Sequence, residues 1–199
     1  MGSFDFCKKN IVVALCGLIF VIASLSSAFA GEKLSAISPD QYGCKAILLT
    51  NEDYFPALIK AIDEAQSEIF MSIFSFKTDV HKNSYPDRIL GHLAKAVKRG
   101  VNVKVILETT GRGDDELSAQ NRQTGKLLEE KGVKVYFDSP RTTTHTKLIV
   151  IDERVVILGS HNLTQAALKY NNEISIMLAR PDLAKCARNY MLTIIKEAK

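Results

Sequence analysis

The chain has 199 residues, of which 46% are hydrophobic and 24% are charged, and its formal net charge is +4. This composition predicts a globular protein with one hydrophobic core. It excludes a low-complexity or repeat protein, because no biased stretch or internal repeat is visible. The small positive charge is compatible with a phosphate-bearing substrate but does not indicate one, since most charge on such a domain is solvated surface.

The N-terminal 30 residues have the pattern of a secretory signal peptide. Lys8 and Lys9 precede an uncharged apolar run over residues 11–30, which ends in the small-residue site Ala-Phe-Ala at 28–30. Cleavage after this site is the favoured interpretation. An uncleaved membrane anchor is the alternative, because the run is just long enough to span a bilayer. In both cases the rest of the chain is expected to be exported, to the periplasm or as a secreted protein.

A domain is predicted for residues 45–199, after a linker over residues 31–44. Apolar residues at helical spacing and glycine stops predict helices over 54–65, from after Pro86 to Arg99, and over 119–131, 163–169 and 182–196. Apolar runs predict strands over 45–49, 68–76, 101–108, 133–137, 145–151, 155–159 and 174–178, with a hairpin turn at 152–154. This order predicts an α/β fold in which a central mixed β-sheet is sandwiched between helices.

Two cysteines, Cys44 and Cys186, remain once the leader is removed. In an exported protein they can form a disulfide, and two separate buried thiols are the alternative. Their spacing excludes a zinc knuckle, which needs several Cys or His ligands close together.

The segment from His145 to Ile176 contains the residues best suited to chemistry. His145 and Lys147 are two positions apart on a predicted strand, so both side chains point to one face. A hydrophobic core does not require such a pair, since a buried lysine must be paired or coordinated. The pattern therefore indicates a nucleophilic imidazole beside a cation that holds an anionic substrate.

A second polar group follows the partner strand of the hairpin. Ser160 and Asn162 share one face and offer a hydroxyl and an amide to phosphate oxygens, and Gly159 lets the backbone approach a ligand closely. Taken alone, Asn162 is better explained as the N-cap of the helix that follows. Beside His145 and Lys147, a role in binding phosphate is favoured.

The sequence HTKLIVID, from His145 to Asp152, fits the HxKxxxxD pattern of the phospholipase D superfamily. The chain resembles that superfamily further in GSHN at 159–162, which matches its GSxN element, and in Glu173, where it places an acidic residue. The order of helices and strands is similar to that of the small single-motif branch, which includes bacterial periplasmic endonucleases and mitochondrial cardiolipin hydrolases. The combination of these motifs is highly specific for the superfamily, whereas a lone HxK would be weak evidence for it.

The resemblance implies that His145 is the nucleophile and forms a phosphohistidine. Lys147 and Asn162 are implied to bind the phosphoryl oxygens, with help from Ser160. An oriented imidazole is a competent nucleophile, and cations and donors fixed in the site neutralise the developing charge. No metal and no cofactor are therefore expected.

Two further residues of the site carry supporting roles in the resemblance. Glu173 is implied to hydrogen-bond His145 and to set its tautomer. Asp152 is a member of the motif that is expected to brace the hairpin or its neighbours rather than to contact substrate.

Most members of the superfamily contain two such motifs, and this chain contains one. A second histidine is still needed to protonate the leaving oxygen. His161 is not followed by a lysine two positions on, and His81 and His92 lack the motif context. The expected partner is therefore a second copy of the chain, in a homodimer whose two-fold axis brings both His145 side chains into one composite active site.

The sequence thus predicts a metal-independent phosphodiesterase that acts on nucleic acid or on phospholipid. Arg112 and Arg141 could follow a nucleic-acid backbone, and equally they could be solvated loop residues. A non-catalytic module that binds an anionic lipid or nucleic acid in the same cleft is the rival interpretation. The intact set of His145, Lys147, Asn162 and Glu173 argues against it.

Overall fold

The computed structural model describes residues 45–78, 83–110 and 115–198. The predicted signal peptide, the linker and Arg112 lie outside the described residues. The strands are β1 (Lys45–Thr50), β2 (Glu68–Ile73), β3 (Asn102–Leu107), β4 (Lys134–Phe137), β5 (Lys147–Ile151), β6 (Val155–Gly159) and β7 (Ile174–Ala179). The helices are α1 (Tyr54–Glu64), α2 (Tyr85–Lys98), α3 (Glu116–Glu129), α4 (Gln165–Lys169) and α5 (Pro181–Glu197), and a 3-10 turn over Asn51–Asp53 precedes α1.

The strands form one sheet in the order β1-β7-β6-β5-β2-β3-β4. Strands β2, β3 and β4 run parallel, as expected when helices connect them, whereas β5, β6, β7 and β1 pair antiparallel. The predicted mixed sheet and the hairpin between β5 and β6 are confirmed. All described strands contribute to this one sheet. Its two ends present different residues.

Helices cover both faces of the sheet, which confirms the predicted sandwich. Alternate residues of β2 show why: Ile69 and Met71 pack in the larger core with α1 and α2, whereas Phe70 packs in a second core against Met191 of α5. The period of two in a strand sends successive side chains to opposite faces. Burial of such a side chain stabilises the fold by about 1.5–3 kcal/mol. The two cores together fix the sheet between its helical layers.

Local sequence determines where the longer helices begin and end. The Ser84 hydroxyl caps α2 by accepting from the Asp87 amide, and the Asp115 carboxylate caps α3 by accepting from the Ser118 amide. Gly100 follows α2 with φ +90°, a left-handed conformation that glycine adopts without the clash of a Cβ atom. Gly132 plays the same part after α3, with φ +83°. Both predicted glycine stops are confirmed.

Some strands and helices begin or end at other residues than predicted. One cause is that side chains, rather than a neighbouring strand, take up the backbone hydrogen bonds. The predicted strand 68–76 ends at Ile73, because the next residues bond to side chains of α3. The predicted strand 145–151 begins only at Lys147, so His145 precedes β5. Pro86, predicted before its helix, lies in the first turn of α2, where its missing N–H costs nothing.

Cys186 on α5 is disulfide-bonded. The alternative of a free thiol at Cys186 is therefore wrong. Cys44, the partner predicted for it, lies outside the described residues. In the ranges that the structure describes, every helix is too short or too polar to span a bilayer.

One end of the sheet gathers most of the residues singled out from the sequence. The register pairs Ile73 with Lys147, Gly159 with Ser175 and Thr50 with Ile174. The start of β5, the end of β6 and the start of β7 therefore meet at the same end as the carboxyl ends of β1, β2, β3 and β4. We call this end the motif end of the sheet.

Candidate active site

His145 lies at the surface of the motif end, directly before β5. Its imidazole packs edge-on against the Phe74 ring, with centroids 4.4 Å apart, and its Nε2 is 3.2 Å from the Lys147 Nζ. An ammonium can only donate, so Nε2 accepts and the neutral ring carries its proton on Nδ1. The structure thus brings together His145 and Lys147, as predicted, and the Nε2 lone pair of the exposed imidazole is engaged by the Lys147 ammonium.

Lys147 is only 9% exposed, which is rare for a lysine without a carboxylate in contact. Its ammonium donates to the His145 carbonyl at 3.1 Å and lies 4.7 Å from the centre of the Phe74 ring. Burial lowers the pKa of Lys147, and the negative charge of Glu173 partly opposes that shift. Among the described residues, the ammonium has two acceptors, both on His145, and a third N–H that can donate to an anion. A nearly buried cation without a carboxylate partner therefore favours binding of an anion.

Asn162 carries an unsatisfied polar atom at the site. Its Oδ1 is buried and has no hydrogen-bond partner among the described residues. Such an atom costs about 1–3 kcal/mol. Because Oδ1 only accepts hydrogen bonds, a contact with a phosphate oxygen would have to come from the Nδ2 amide group. The alternative role as an N-cap is wrong: the cap of α4 is Thr164, whose hydroxyl accepts from the Ala167 amide at 3.2 Å.

Ser160 and Gly159 serve the contact between β6 and β7 more than the sequence predicts. The Ser160 hydroxyl donates to the Glu173 carboxylate and accepts from the Ile174 amide at 3.1 Å. Donation to a phosphate therefore requires this hydroxyl to turn away from Glu173. A Cβ atom at Gly159 would lie 2.2 Å from the Ser175 hydroxyl, so the close approach predicted for a ligand is an approach to β7.

Glu173 is bound by neighbours other than the histidine that the resemblance implies. Its carboxylate accepts from Ser160 and, at 3.1 Å, from the Asn171 amide, and its own backbone amide donates to the Asn51 side chain at 2.8 Å. Within the described part of one chain, the implied bond to His145 is not formed. The charge of Glu173 nevertheless reaches the site, because it raises the pKa of Lys147 against the effect of burial.

His161 is fully buried beneath the site and has no free ring nitrogen. Its ring stacks on Tyr54 with centroids 4.1 Å apart, Nδ1 bonds to the Ser175 hydroxyl at 2.8 Å and Nε2 bonds to the Asn51 carbonyl at 3.1 Å. Burial lowers its pKa, against the bond to Asn51 and the charge of Glu173. It is therefore a structural residue that fixes Asn51 and cannot deliver a proton to a surface ligand.

Asp152 lies at the opposite end of β5, roughly 17 Å along the strand from Lys147. Its carboxylate accepts from the backbone amides of Gln66, Ser67 and Glu68 and from the Ser67 hydroxyl, at 2.8–3.0 Å. Partial burial raises its pKa, but these bonds outweigh burial and hold the pKa below its ordinary value. Asp152 therefore braces the chain before β2, as the resemblance implies. The prediction that it is one of the catalytic residues is wrong, because it lies at the far end of β5 from His145 and Lys147.

Two polar residues of α3 support the site from below, and the sequence analysis did not find them. Asn121 accepts from the Phe76 amide at 3.0 Å and donates to the carbonyls of Phe74 and Glu108, and Thr124 donates to the Phe76 carbonyl. These bonds hold the chain after β2 and with it the ring under His145. The missed signal is that Asn121 and Thr124 stand three positions apart, on a face of α3 whose other buried residues are Ser118, Gly125 and Leu128.

A pair of buried carboxyl groups was also missed. Glu108 directly follows β3 and Asp138 directly follows β4, and the two residues are only 1% and 4% exposed. Both carboxyl groups accept from the Thr144 amide. Burial above all, together with the bond to Asp138, raises the pKa of Glu108 to about 7. Because Thr144 adjoins His145, this pair belongs to the structural support of the site.

No group of three or more His, Cys, Asp or Glu side chains in the described ranges is placed to hold a metal ion. The polar groups at the motif end are instead one ammonium, one imidazole, amides and hydroxyls. This set suits an anion that is held by donors and a cation.

The family model "Cardiolipin synthase, PLD-like domain" matches residues 58–195. Among curated proteins, mitochondrial cardiolipin hydrolase of Mus musculus is 28% identical over 78% of this chain and 64% of its own length. Cardiolipin synthase B of Escherichia coli (strain K12) is 34% identical over 60% of this chain and 30% of its own length. The chain therefore spans less than two thirds of either relative.

The fold is also similar to solved structures. The crystal structure of Nuc, a phospholipase D family member from Salmonella typhimurium, superposes with a TM-score of 0.65 at 25% identity, covering 77% of this chain and 95% of Nuc. NucT from Helicobacter pylori gives a TM-score of 0.64 at 20% identity, over 77% of this chain and 97% of NucT. Both resemblances extend over nearly the whole of the solved chain.

Proposed function

The chain belongs to the phospholipase D superfamily, and on that premise we propose that it is a metal-independent phosphodiesterase with His145 as its nucleophile. The observation that carries the proposal is the surface imidazole of His145 with its Nε2 directed at the Lys147 ammonium, 3.2 Å away. A phosphodiester carries an anionic charge that fits beside this ammonium. When the ammonium turns from Nε2 to the phosphoryl oxygens, the lone pair of Nε2 is released and can attack phosphorus.

In the proposed reaction, His145 Nε2 forms a bond to phosphorus while the bond from phosphorus to the leaving oxygen breaks. Lys147 and the Asn162 amide contact the phosphoryl oxygens and stabilise the charge that develops on them. Water then attacks the phosphohistidine, and its oxygen replaces the Nε2–P bond, so that the imidazole is regenerated. The leaving oxygen takes up a proton in the first step, and the attacking water loses one in the second.

Among the described residues, no second histidine of the same chain is free to supply this proton. His161 is buried with both nitrogens bonded, and His92 on α2 is bound to Asp63 at 2.7 Å. We therefore propose a homodimer in which His145 of a second copy faces the first across a two-fold axis. The exposed aliphatic side chains of Leu158 and Ile174 next to the motif end support a surface that a second copy covers.

The dimer predicts a dominant effect of an inactive variant. Mixing wild type with an excess of His145→Ala and allowing subunits to exchange should give mixed dimers with one imidazole in the composite site. Towards plasmid DNA or phosphatidylcholine, whose leaving oxygen must be protonated, their activity is expected to be close to zero, so total activity falls well below that of the wild type alone at equal concentration. Light scattering should give the mass of two chains. Full activity from a monomer, or activity unaffected by the variant, contradicts the dimer.

Metal independence is tested with a chromogenic phosphodiester, bis(p-nitrophenyl) phosphate, in the presence of excess EDTA. We expect turnover to be the same with and without the chelator, because the site neutralises charge with Lys147 and amide donors. His145→Asn protein from the same preparation is the control for contaminating hydrolases. A loss of activity in EDTA that Mg²⁺ or Zn²⁺ restores would sink this mechanism.

The proposed natural substrate is a phosphodiester of nucleic acid or of a phospholipid. Plasmid DNA, RNA and phosphatidylcholine vesicles assayed side by side distinguish these classes. Binding of any of them without turnover would favour the rival, non-catalytic module. Arg141, exposed in the loop before His145, is available to a polyanionic substrate, so Arg141→Ala should weaken nucleic-acid cleavage and leave the small chromogenic substrate unaffected.

We further propose that the protein works outside the cytoplasm, in the periplasm, secreted or held by its N-terminal segment. The disulfide of Cys186 supports this proposal, because such bonds persist in oxidising compartments. The N-terminal sequence of the protein isolated from its native host tests the route: Gly31 as first residue indicates a cleaved signal peptide, and an intact N-terminus indicates an anchor.

A further inference from the structure

Two buried carboxyl groups lie under the loop that leads to His145. Glu108 follows β3 and Asp138 follows β4, and these neighbouring parallel strands place the two side chains so close that both accept from the Thr144 amide. Asp138 also accepts from the Thr109 amide at 2.7 Å. Two buried carboxyl groups that meet at one amide are stabilised when one of them carries a proton.

The pair holds the backbone immediately before the proposed nucleophile. The Thr144 amide donates to Glu108 Oε2 and, at 3.1 Å, to Asp138 Oδ2. On the other side of His145, the Thr146 hydroxyl bonds to that of Ser72 at 2.6 Å. His145 is therefore fixed through both sequence neighbours, and only the Thr144 attachment depends on groups that titrate.

We propose that Glu108 and Asp138 share one proton and act as positioning residues for His145, and that the Thr144 amide passes from both carboxyl groups to one of them when that proton leaves. With one proton, the pair is a single anion whose oxygens accept the Thr144 amide together. With none, two buried carboxylates repel each other and cannot both stay against the same amide. This inference rests on the proposed function, because it assigns a pH-dependent control to the same site.

The surroundings of the pair favour the shared proton. Asp138, directly after β4, faces Glu108, and Asp115, the N-cap of α3, adds a second negative charge. Asn121 of α3 donates to the backbone carbonyl of Glu108 and not to its carboxyl group. Burial and these carboxylates raise the pKa of Glu108 to about 7, and the Thr144 amide opposes the shift. Because the folded chain retains this proton and the unfolded chain does not, stability falls as pH rises from about 4.5 through about 7.

Glu108→Gln tests the proposal. The glutamine amide donates to Asp138 and its oxygen accepts from Thr144, so the variant keeps the protonated arrangement at every pH. With bis(p-nitrophenyl) phosphate, whose leaving group needs no proton, we expect the wild-type kcat to fall about tenfold between pH 6 and pH 8, as for loss of one proton with a pKa of about 7. The kcat of Glu108→Gln should change less than about twofold over this interval, with KM unaltered in both.

Glu116→Gln, which removes an exposed carboxylate in the first turn of α3, is the matched control and should titrate like the wild type. The backbone amide resonance of Thr144 gives a readout that needs no activity. It should shift with a midpoint near pH 7 in the full wild-type chain and stay constant in Glu108→Gln. Identical pH profiles of kcat in both proteins, or a Thr144 resonance that does not titrate, would overturn the inference. A titrating Thr144 in a protein without phosphodiesterase activity would instead refute the proposed function alone.

Discussion

Replacing His145 by alanine or asparagine is expected to abolish turnover and to leave the fold intact. The imidazole is exposed, and its ring contact and hydrogen bond within the described ranges are to Phe74 and Lys147, so its loss removes little buried surface. Loss of a nucleophile typically costs on the order of 10⁴-fold or more in kcat. Steady-state kinetics with a phosphodiester, together with circular dichroism and the midpoint of thermal unfolding, measure the two effects separately.

His92→Asn is the matched control for the histidine substitution. His92 is a partly exposed histidine on α2 that is bonded to Asp63 and takes no part in the motif end. Its replacement should leave kcat within about twofold of wild type. Substantial activity in a folded His145→Ala protein would show that another residue is the nucleophile.

Replacing Lys147 by methionine is expected to lower kcat by about 10²–10³-fold, because the cation that faces the phosphoryl oxygens is lost. The same change should leave stability equal or higher. The ammonium is nearly buried without a carboxylate in contact, and methionine of similar length fills the space without that cost. Loss of activity with gain of stability is typical of residues retained for function.

Lys147→Arg should recover little of the lost activity. The planar guanidinium is larger than the ammonium and cannot occupy the confined position over the Phe74 ring while donating to His145. Lys60→Ala, on an exposed lysine of α1 that pairs with Glu64, controls for loss of one positive charge. Near-normal kinetics of Lys147→Met would indicate that a different group binds the phosphate.

The sequence was sufficient for the architecture because each element buries a periodic apolar face. The alternation of Ile69, Phe70 and Met71 between two cores, and the glycines after α2 and α3, are local signals that the tertiary structure keeps. The end of β2 was misplaced because Phe74 and its successors look like strand residues. Their backbone is taken up by Asn121 and Thr124, which are some 45 positions away in sequence.

The motif residues at the candidate site were also predictable, whereas their support was not. His145 and Lys147 were placed together by their spacing alone. The buried pair of Glu108 and Asp138 escaped notice because each follows an ordinary strand, and only the parallel pairing of β3 with β4 makes them neighbours. Within one chain, Glu173 has a hydrogen-bond partner other than the predicted His145, because the Ser160 hydroxyl, just beyond the Gly159–Ser175 pair of β6 and β7, binds its carboxylate.

The central claim is that turnover passes through a phosphohistidine at residue 145. Wild-type protein mixed with excess bis(p-nitrophenyl) phosphate in EDTA, quenched within one turnover in alkaline denaturant and digested, allows the adduct to be located by mass spectrometry. We predict a p-nitrophenyl phosphoryl group on the imidazole of His145, which decays as product forms and is absent from His145→Asn. Turnover without any adduct, or an adduct on a different residue, would contradict the account.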